Sequence, residues 1–312
     1  MIEARGLART FRTRAGEVEA VRGIDLDVQG GEIVGFLGPN GAGKTTTLRM
    51  LTTLIAPTAG SARVAGHDLL REPVEVRRRI GYVAQGGCTE PEAKVGEELV
   101  DHGRLYGMSA ADGRSRGQEL LAGLDLEGVW DRQTKTLSGG QRRRLDIAMG
   151  LIHSPGLIFL DEPTSGLDPQ ARANLWQHVR SLRDERGATV FLTTHYLEEA
   201  DALCDRILVI DHGEIVAAGA PEELKRRISG DTVELTFGDD AAAIAAAALL
   251  DGQFDGPLVR LQLPSAVDGL PVVFRALDEA RVSALGVAVH RPTLDDVFLS
   301  LTGHALRDEV PA

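Results

Sequence analysis

The chain has 312 residues, of which 43% are hydrophobic and 26% charged, an ordinary globular balance that excludes a disordered chain and suffices for one large domain plus a small one. The net charge of −12 opposes a general nucleic-acid field, and 4% aromatic content is too little for stacking platforms along single strands, so no nucleic-acid partner is expected. Two separated cysteines, Cys88 and Cys204, exclude a disulfide scaffold and a cysteine zinc site; the start MIEARGLART lacks the apolar stretch of a signal peptide, and the longest apolar run, Ala241–Leu250, is too short to span a membrane.

The first 230 residues alternate short apolar runs with helical segments. EIVGFL (32–37) ends in Gly-Pro-Asn-Gly, IGYVAQ (80–85) in a glutamine, LIFL (157–160) in two acids, TVFLTT (189–194) in a histidine, and RILVI (206–210) closes the series. Such runs predict a parallel sheet covered on both faces, with ligands held beyond the carboxyl ends of its strands. The polar residues just named all follow such ends. GAPEELKRRISGD (219–231) reads as a Pro-started helix that closes this domain, followed by a break.

Residues 231–312 are more acidic, with 13 acidic and 5 basic side chains. Strand patterns at 232–237, 258–263 and 286–290 alternate with helical patterns at 240–250, 272–282 and 294–303. They predict a small α+β domain over 231–305, behind a first domain of 1–228. No chemistry-bearing cluster stands out in it.

GPNGAGKTT (38–46) fits the phosphate-binding pattern of a glycine-rich loop between strand and helix. Gly38, Pro39, Asn40, Gly41, Ala42 and Gly43 can wrap backbone N–H groups around phosphate oxygens, and the following helix adds its positive end. Lys44, one of only four lysines, is expected on the β- and γ-phosphates, with Thr45 and Thr46 beside it and the Thr45 hydroxyl on Mg²⁺. Asp161 and Glu162 end the LIFLDEP strand. Asp161 is expected to hold the metal and Glu162 to take a proton from, or orient, the attacking water; alone, the pair reads more readily as an acidic helix cap, and the glycine-rich loop tips it the other way. LSGGQ (137–141) opens a helix with Ser-Gly-Gly, which is either a second anion site or a plain serine cap.

In this order, GPNGAGKTT, LSGGQ, LIFLDEP, SGLD (165–168) and His195 resemble the ATPases of ATP-binding-cassette (ABC) transporters over about residues 1–225. The resemblance implies an α/β P-loop NTPase cassette: a parallel-sheet core with antiparallel β and helical subdomains. It places an adenine-stacking aromatic at Phe11, unless that ring is a core residue, and a Mg²⁺-touching, γ-phosphate-sensing glutamine at Gln85, unless that is a loop amide. Ser138, Gly140 and Gln141 match the signature that caps the ATP of an opposite subunit, Asp168 the loop that crosses between subunits, and His195 the switch histidine on the γ-phosphate. It implies ATP and Mg²⁺, a homodimer of ATPase subunits, a separate transmembrane permease docked on the segment between Gln85 and Ser138, and a peripheral place on the cytoplasmic face of the membrane. TTHYLEEADALCDRILVIDHGEIVAAGAPEEL (193–224) and RPTLDDVFLSLTG (291–303) are similar to antibiotic-exporter ATPases of the daunorubicin-resistance type, from which His195 and LSGGQ depart toward the wider family. Export of a drug-like or lipid-like compound is the expected function; an importer ATPase, or a soluble ABC ATPase acting on ribosomes or DNA, is the alternative.

Overall fold

The structure, a computed structural model, describes residues 1–14, 16–226 and 230–303. It divides into two compact units, Met1–Ala220 and a second that begins at Pro221. The sequence boundary at residue 228 lies outside the described residues.

In the first unit, β1 (Ile2–Thr13) and β2 (Gly16–Val28) form a long antiparallel ribbon; β3 (Ile33–Leu37) then leads into α1 (Lys44–Leu51). β4 (Ala59–Val64), β5 (His67–Asp68) and α2 (Pro73–Arg79) precede β6 (Ile80–Val83). Three helices follow, α3 (Val95–Leu105), α4 (Ala110–Gly123) and α5 (Gly139–Leu151). The chain then alternates: β7 (Leu157–Asp161), α6 (Pro169–Arg186), β8 (Thr189–Thr194), α7 (Leu197–Leu203), β9 (Arg206–Asp211) and β10 (Glu214–Gly219).

Two sheets result. One is antiparallel in the order β2-β1-β4-β5; the other runs β10-β9-β3-β8-β7-β6, parallel except for the edge strand β10. β3, β7 and β8 are buried at every residue, which is why they read as uninterrupted apolar runs. Phe191 packs between Phe36 and Phe159, with ring centroids 5.6 and 5.7 Å away. The register sets Leu37 beside Thr194 and Asp161 beside Thr193, so the strands end together and their following loops share one edge. The α3–α4 layer closes on Trp130: a Cβ on Gly96 would lie 2.2 Å from that ring, so only glycine admits it.

The second unit holds α8 (Pro221–Arg226), β11 (Asp231–Thr236), α9 (Asp240–Leu250), β12 (Gln253–Asp255), β13 (Leu258–Leu263), α10 (Ala266–Glu279), β14 (Gly286–His290) and α11 (Leu294–Thr302). Its antiparallel sheet, β12-β13-β11-β14, packs Val233, Leu235, Val259 and Leu261 against Ala243, Ala246, Val273 and Leu277. α8, read from sequence as the close of the first domain, packs on α11 and counts with this unit. α10 begins six residues before its expected start and carries Pro271 inside, because Ser265 caps it by accepting the Asp268 N–H. Among the described residues no helix is long and apolar enough to cross a membrane.

Phe191→Ala should lower unfolding stability by about 3–5 kcal/mol, as expected for deleting a ring buried between two others. Urea unfolding followed by circular dichroism checks this, and a loss of under about 1 kcal/mol would contradict the packing described.

Candidate active site

The loop 38–43 leaves β3 at the common edge and folds back into α1. A Cβ on Gly38 would fall 2.2 Å from the Ile210 carbonyl oxygen, and one on Gly43 2.5 Å from that of Ala20. Gly43 also has φ of 106°, a conformation other residues rarely adopt. These two glycines let the loop close against β2 and β9. Lys44, 5% exposed, donates through Nζ to the carbonyls of Gly38 (2.7 Å) and Pro39 (2.9 Å). Burial lowers its ammonium from the ordinary lysine value, while the Glu162 and Asp161 charges oppose the shift.

Asp161 ends β7 with its carboxylate buried. Its Oδ1 accepts from the Thr193 hydroxyl (2.7 Å) and from the Thr45 hydroxyl (3.2 Å). Thr45 and Asp161, 3.2 Å apart through their oxygens, could offer oxygen donors to a hard divalent cation, and Gln85 has an amide carbonyl of the same hard type. Mg²⁺ takes few protein ligands and completes its shell with water and phosphate. The set needs no dedicated cage, and none of three or more His, Cys, Asp or Glu occurs among the described residues.

Glu162 is held from all sides. Its backbone sits at φ of 44°, a left-handed conformation that costs a non-glycine residue about 1–3 kcal/mol. Its N–H, donating to both the hydroxyl (3.0 Å) and the carbonyl (3.2 Å) of Thr193, fixes it there. Gln85 Nε2 donates to Glu162 Oε2 at 2.7 Å. His195 Nδ1 lies 3.2 Å, and Lys44 Nζ 3.8 Å, from Oε1. Burial pushes the carboxyl up, but His195 and the Lys44 charge outweigh it and hold it below the ordinary glutamate value. It is therefore an ionised, aimed carboxylate near neutral pH, as a proton acceptor must be.

The structure thus brings Lys44, Thr45, Gln85, Asp161, Glu162 and His195 together. Gln85 turns its amide N–H to Glu162, a contact the sequence reading did not contain. Phe11 stands on β1 opposite Val18, partly exposed, with the Arg9 guanidinium 4.6 Å from its ring centroid. It is not among the buried core side chains, and the Arg9 guanidinium lies over its ring.

Ser138, Gly140, Gln141 and Asp168 gather elsewhere. Ser138 caps α5 reciprocally with Gln141: its Oγ accepts the Gln141 N–H at 3.2 Å, and Gln141 Oε1 accepts the Ser138 N–H at 3.1 Å. Asp168 caps α6, accepting from Ala171 N–H at 2.9 Å. Between these helix starts lies a cavity of about 540 Å³, lined by Ser138, Gly140, Leu167, Asp168 and Asn174 among others and by none of residues 38–46. The residues singled out from the sequence therefore fall into two separate groups.

Sequence reasoning missed two supports. Thr193 was read only as part of an apolar run, although a hydroxyl there was a signal that a polar group waits beside it. Arg143, in the triple 142–144, carries no mark in the sequence that sets it apart from its neighbours, yet it is 7% exposed.

A family model described as ABC transporter matches residues 21–165. The daunorubicin resistance ATP-binding protein DrrA3 of Streptomyces coeruleorubidus is 45% identical, over 93% of this chain and 93% of its own. The Nod factor export ATP-binding protein I of Paraburkholderia xenovorans is 42% identical, over 94% of this chain and 95% of its own. A dimeric structure of a post-hydrolysis state of an ATP-binding cassette, bound to ADP and Pi, is 28% identical; it covers 70% of this chain and 98% of its own at a TM-score of 0.65.

Because the Glu162 carboxyl is held below its ordinary value, its charge stabilises the fold above the unfolded pKa of about 4.3, and that contribution is lost as pH falls through the lower folded value. The stability of the parent relative to Glu162→Gln should accordingly fall as urea unfolding is moved from neutral pH down through that window. A difference independent of pH would contradict the assignment.

Proposed function

The chain belongs to the ABC transporter ATPases, and on that premise we propose that it drives efflux of a drug-like or lipid-like compound through a separate membrane-spanning permease. ABC ATPase subunits bind ATP, hydrolyse it, dimerise and work with a transmembrane partner. Export is favoured by relatives named for drug resistance and for Nod factor export. The chain then sits peripherally on the cytoplasmic face of the membrane, attached through its permease.

The observation that carries the reading is the ionised Glu162 fixed between Gln85, His195 and Lys44, beside the glycine-rich loop. In this reading the loop N–H groups and the positive end of α1 hold the phosphates. Lys44 exchanges its loop carbonyls for phosphate oxygens, gaining a stronger charge-assisted bond. Glu162 accepts the proton of the attacking water, and His195 orients that water and meets the γ-phosphate. Thr45, Asp161 and Gln85 would hold Mg²⁺, which would supply charge compensation for the transferred phosphoryl group. Phe11 stacks on the adenine.

The half-site of Ser138, Gly140, Gln141 and Asp168 is completed by the phosphate loop of a second copy. A two-fold pairing then makes two equivalent sites, so a homodimer suffices. ATP binds the closed dimer best and draws the equilibrium toward it; hydrolysis and product release reopen it. The permease, clasped by that dimer, is driven between two shapes.

Glu162→Gln should keep ATP affinity, lose about 10²–10⁴-fold in turnover, and accumulate as a closed dimer with ATP. Tagged variant, captured with ATP from detergent-solubilised cells, should bring down a polytopic membrane protein. Parental turnover in the variant would contradict the catalytic role, and capture of ribosomes or DNA alone would contradict the transporter role.

A further inference from the structure

Arg143 joins the two residues that define the catalytic carboxylate to the helix that carries LSGGQ. Its guanidinium is buried and makes three hydrogen bonds, all to backbone carbonyls. Nε donates to Pro163 O at 2.8 Å, Nη2 to Asp161 O at 2.9 Å and Nη1 to Ala84 O at 2.6 Å. Asp161 and Pro163 flank Glu162; Ala84 precedes Gln85. One planar group therefore fixes the backbone on both sides of the proton acceptor and immediately before the amide that donates to it.

Asp146, one turn further along α5, holds the other end of the same loop. Its Oδ1 accepts the Cys88 N–H at 3.2 Å, and its Oδ2 lies 3.9 Å from Arg143 Nη1. A Cβ on Gly87 would come within 3.0 Å of that carboxylate, so the loop lies close against it. The i, i+3 pair thus grips segment 84–88 at both ends, with Gln85 between. Nothing about this arrangement requires an arginine for packing alone. Five fixed donors in a fork are what three diverging carbonyls require, and an ammonium could not reproduce that geometry.

We propose that Arg143, backed by Asp146, is a positioning residue for hydrolysis, setting the Gln85–Glu162 contact and tying it to the signature helix of the same chain. The inference rests on the ATPase reading above. It follows that any shift of α5, whose first turn meets the ATP held by the opposite copy, is passed to this chain's own carboxylate through Arg143. The lever is short: residues 138 and 143 lie on one continuous capped helix.

The test is steady-state and single-turnover Mg-ATP hydrolysis by purified full-length parent, Arg143→Met, Glu162→Gln and the double variant Arg143→Met/Glu162→Gln. Arg143→Met should lower kcat by about 10- to 100-fold, the size of effect expected from an ångström-scale misplacement of a catalytic group, with KM for ATP within about threefold of the parent. In the Glu162→Gln background the same change should lower the residual rate no further, because Arg143 acts through that carboxylate. Should Arg143→Met fail to fold with Asp146 left unpaired, Arg143→Met/Asp146→Leu removes both buried charges together and should show the same kcat loss. A folded variant with parental kcat, a loss carried by KM, or an equal further loss in the Glu162→Gln background would each overturn the positioning role. A parent inactive on Mg-ATP would overturn the ATPase reading, and the positioning role with it; an active parent matched by Arg143→Met overturns the positioning role alone.

Discussion

A carboxylate can act as a proton acceptor only if something holds it still and keeps it charged while it is taken out of water. Glu162 meets both conditions at the cost of a left-handed backbone, which the Thr193 hydroxyl and carbonyl maintain. Gln85, His195 and Lys44 close around the side chain, and His195 with the Lys44 charge outweighs the burial that pushes its carboxyl up. Much of the first unit serves that one placement. β6, β7 and β8 end close together, and the loops leaving them deliver Gln85, Glu162 and His195 to one spot, while β3 delivers the glycine-rich loop.

The arrangement is economical in charge. Lys44 has two anionic neighbours and two carbonyls in reach, so its buried ammonium stays compensated within the chain itself. Asp161 is tied by two hydroxyls and Arg143 by three carbonyls. Each buried ion has partners whose removal would strand it, which is why changes a shell away from Glu162 should be felt there.

Most of this was legible in the sequence where physics leaves a strong local mark. Buried strands read as apolar runs, and the five runs at 32–37, 80–85, 157–160, 189–194 and 206–210 coincide with strands of the parallel sheet. The glycine-rich loop was legible because only glycine fits so close to Ile210 and Ala20. The opening ribbon was not read, because register shifts between Ala4 and Thr10 break the alternation that marks a strand. α10 started earlier than expected because the Ser265 cap outweighed the usual objection to an internal proline. Thr193 and Arg143 escaped for a different reason: their roles lie in hydrogen bonds to residues distant in sequence, which no local pattern encodes. The pairing of Gln85 with Glu162, 77 positions apart, is of the same kind.

Because the two groups of candidate site residues are lined separately, the proposed function turns on stoichiometry: it has ATP split between two copies, not within one. The most direct measurement is phosphate release from Mg-ATP per chain as the chain concentration is raised from nanomolar to micromolar, with sedimentation in ATP run alongside. Turnover per chain that rises and then saturates as dimers form is the predicted result. Turnover that stays constant while the chain sediments as a monomer would contradict the account.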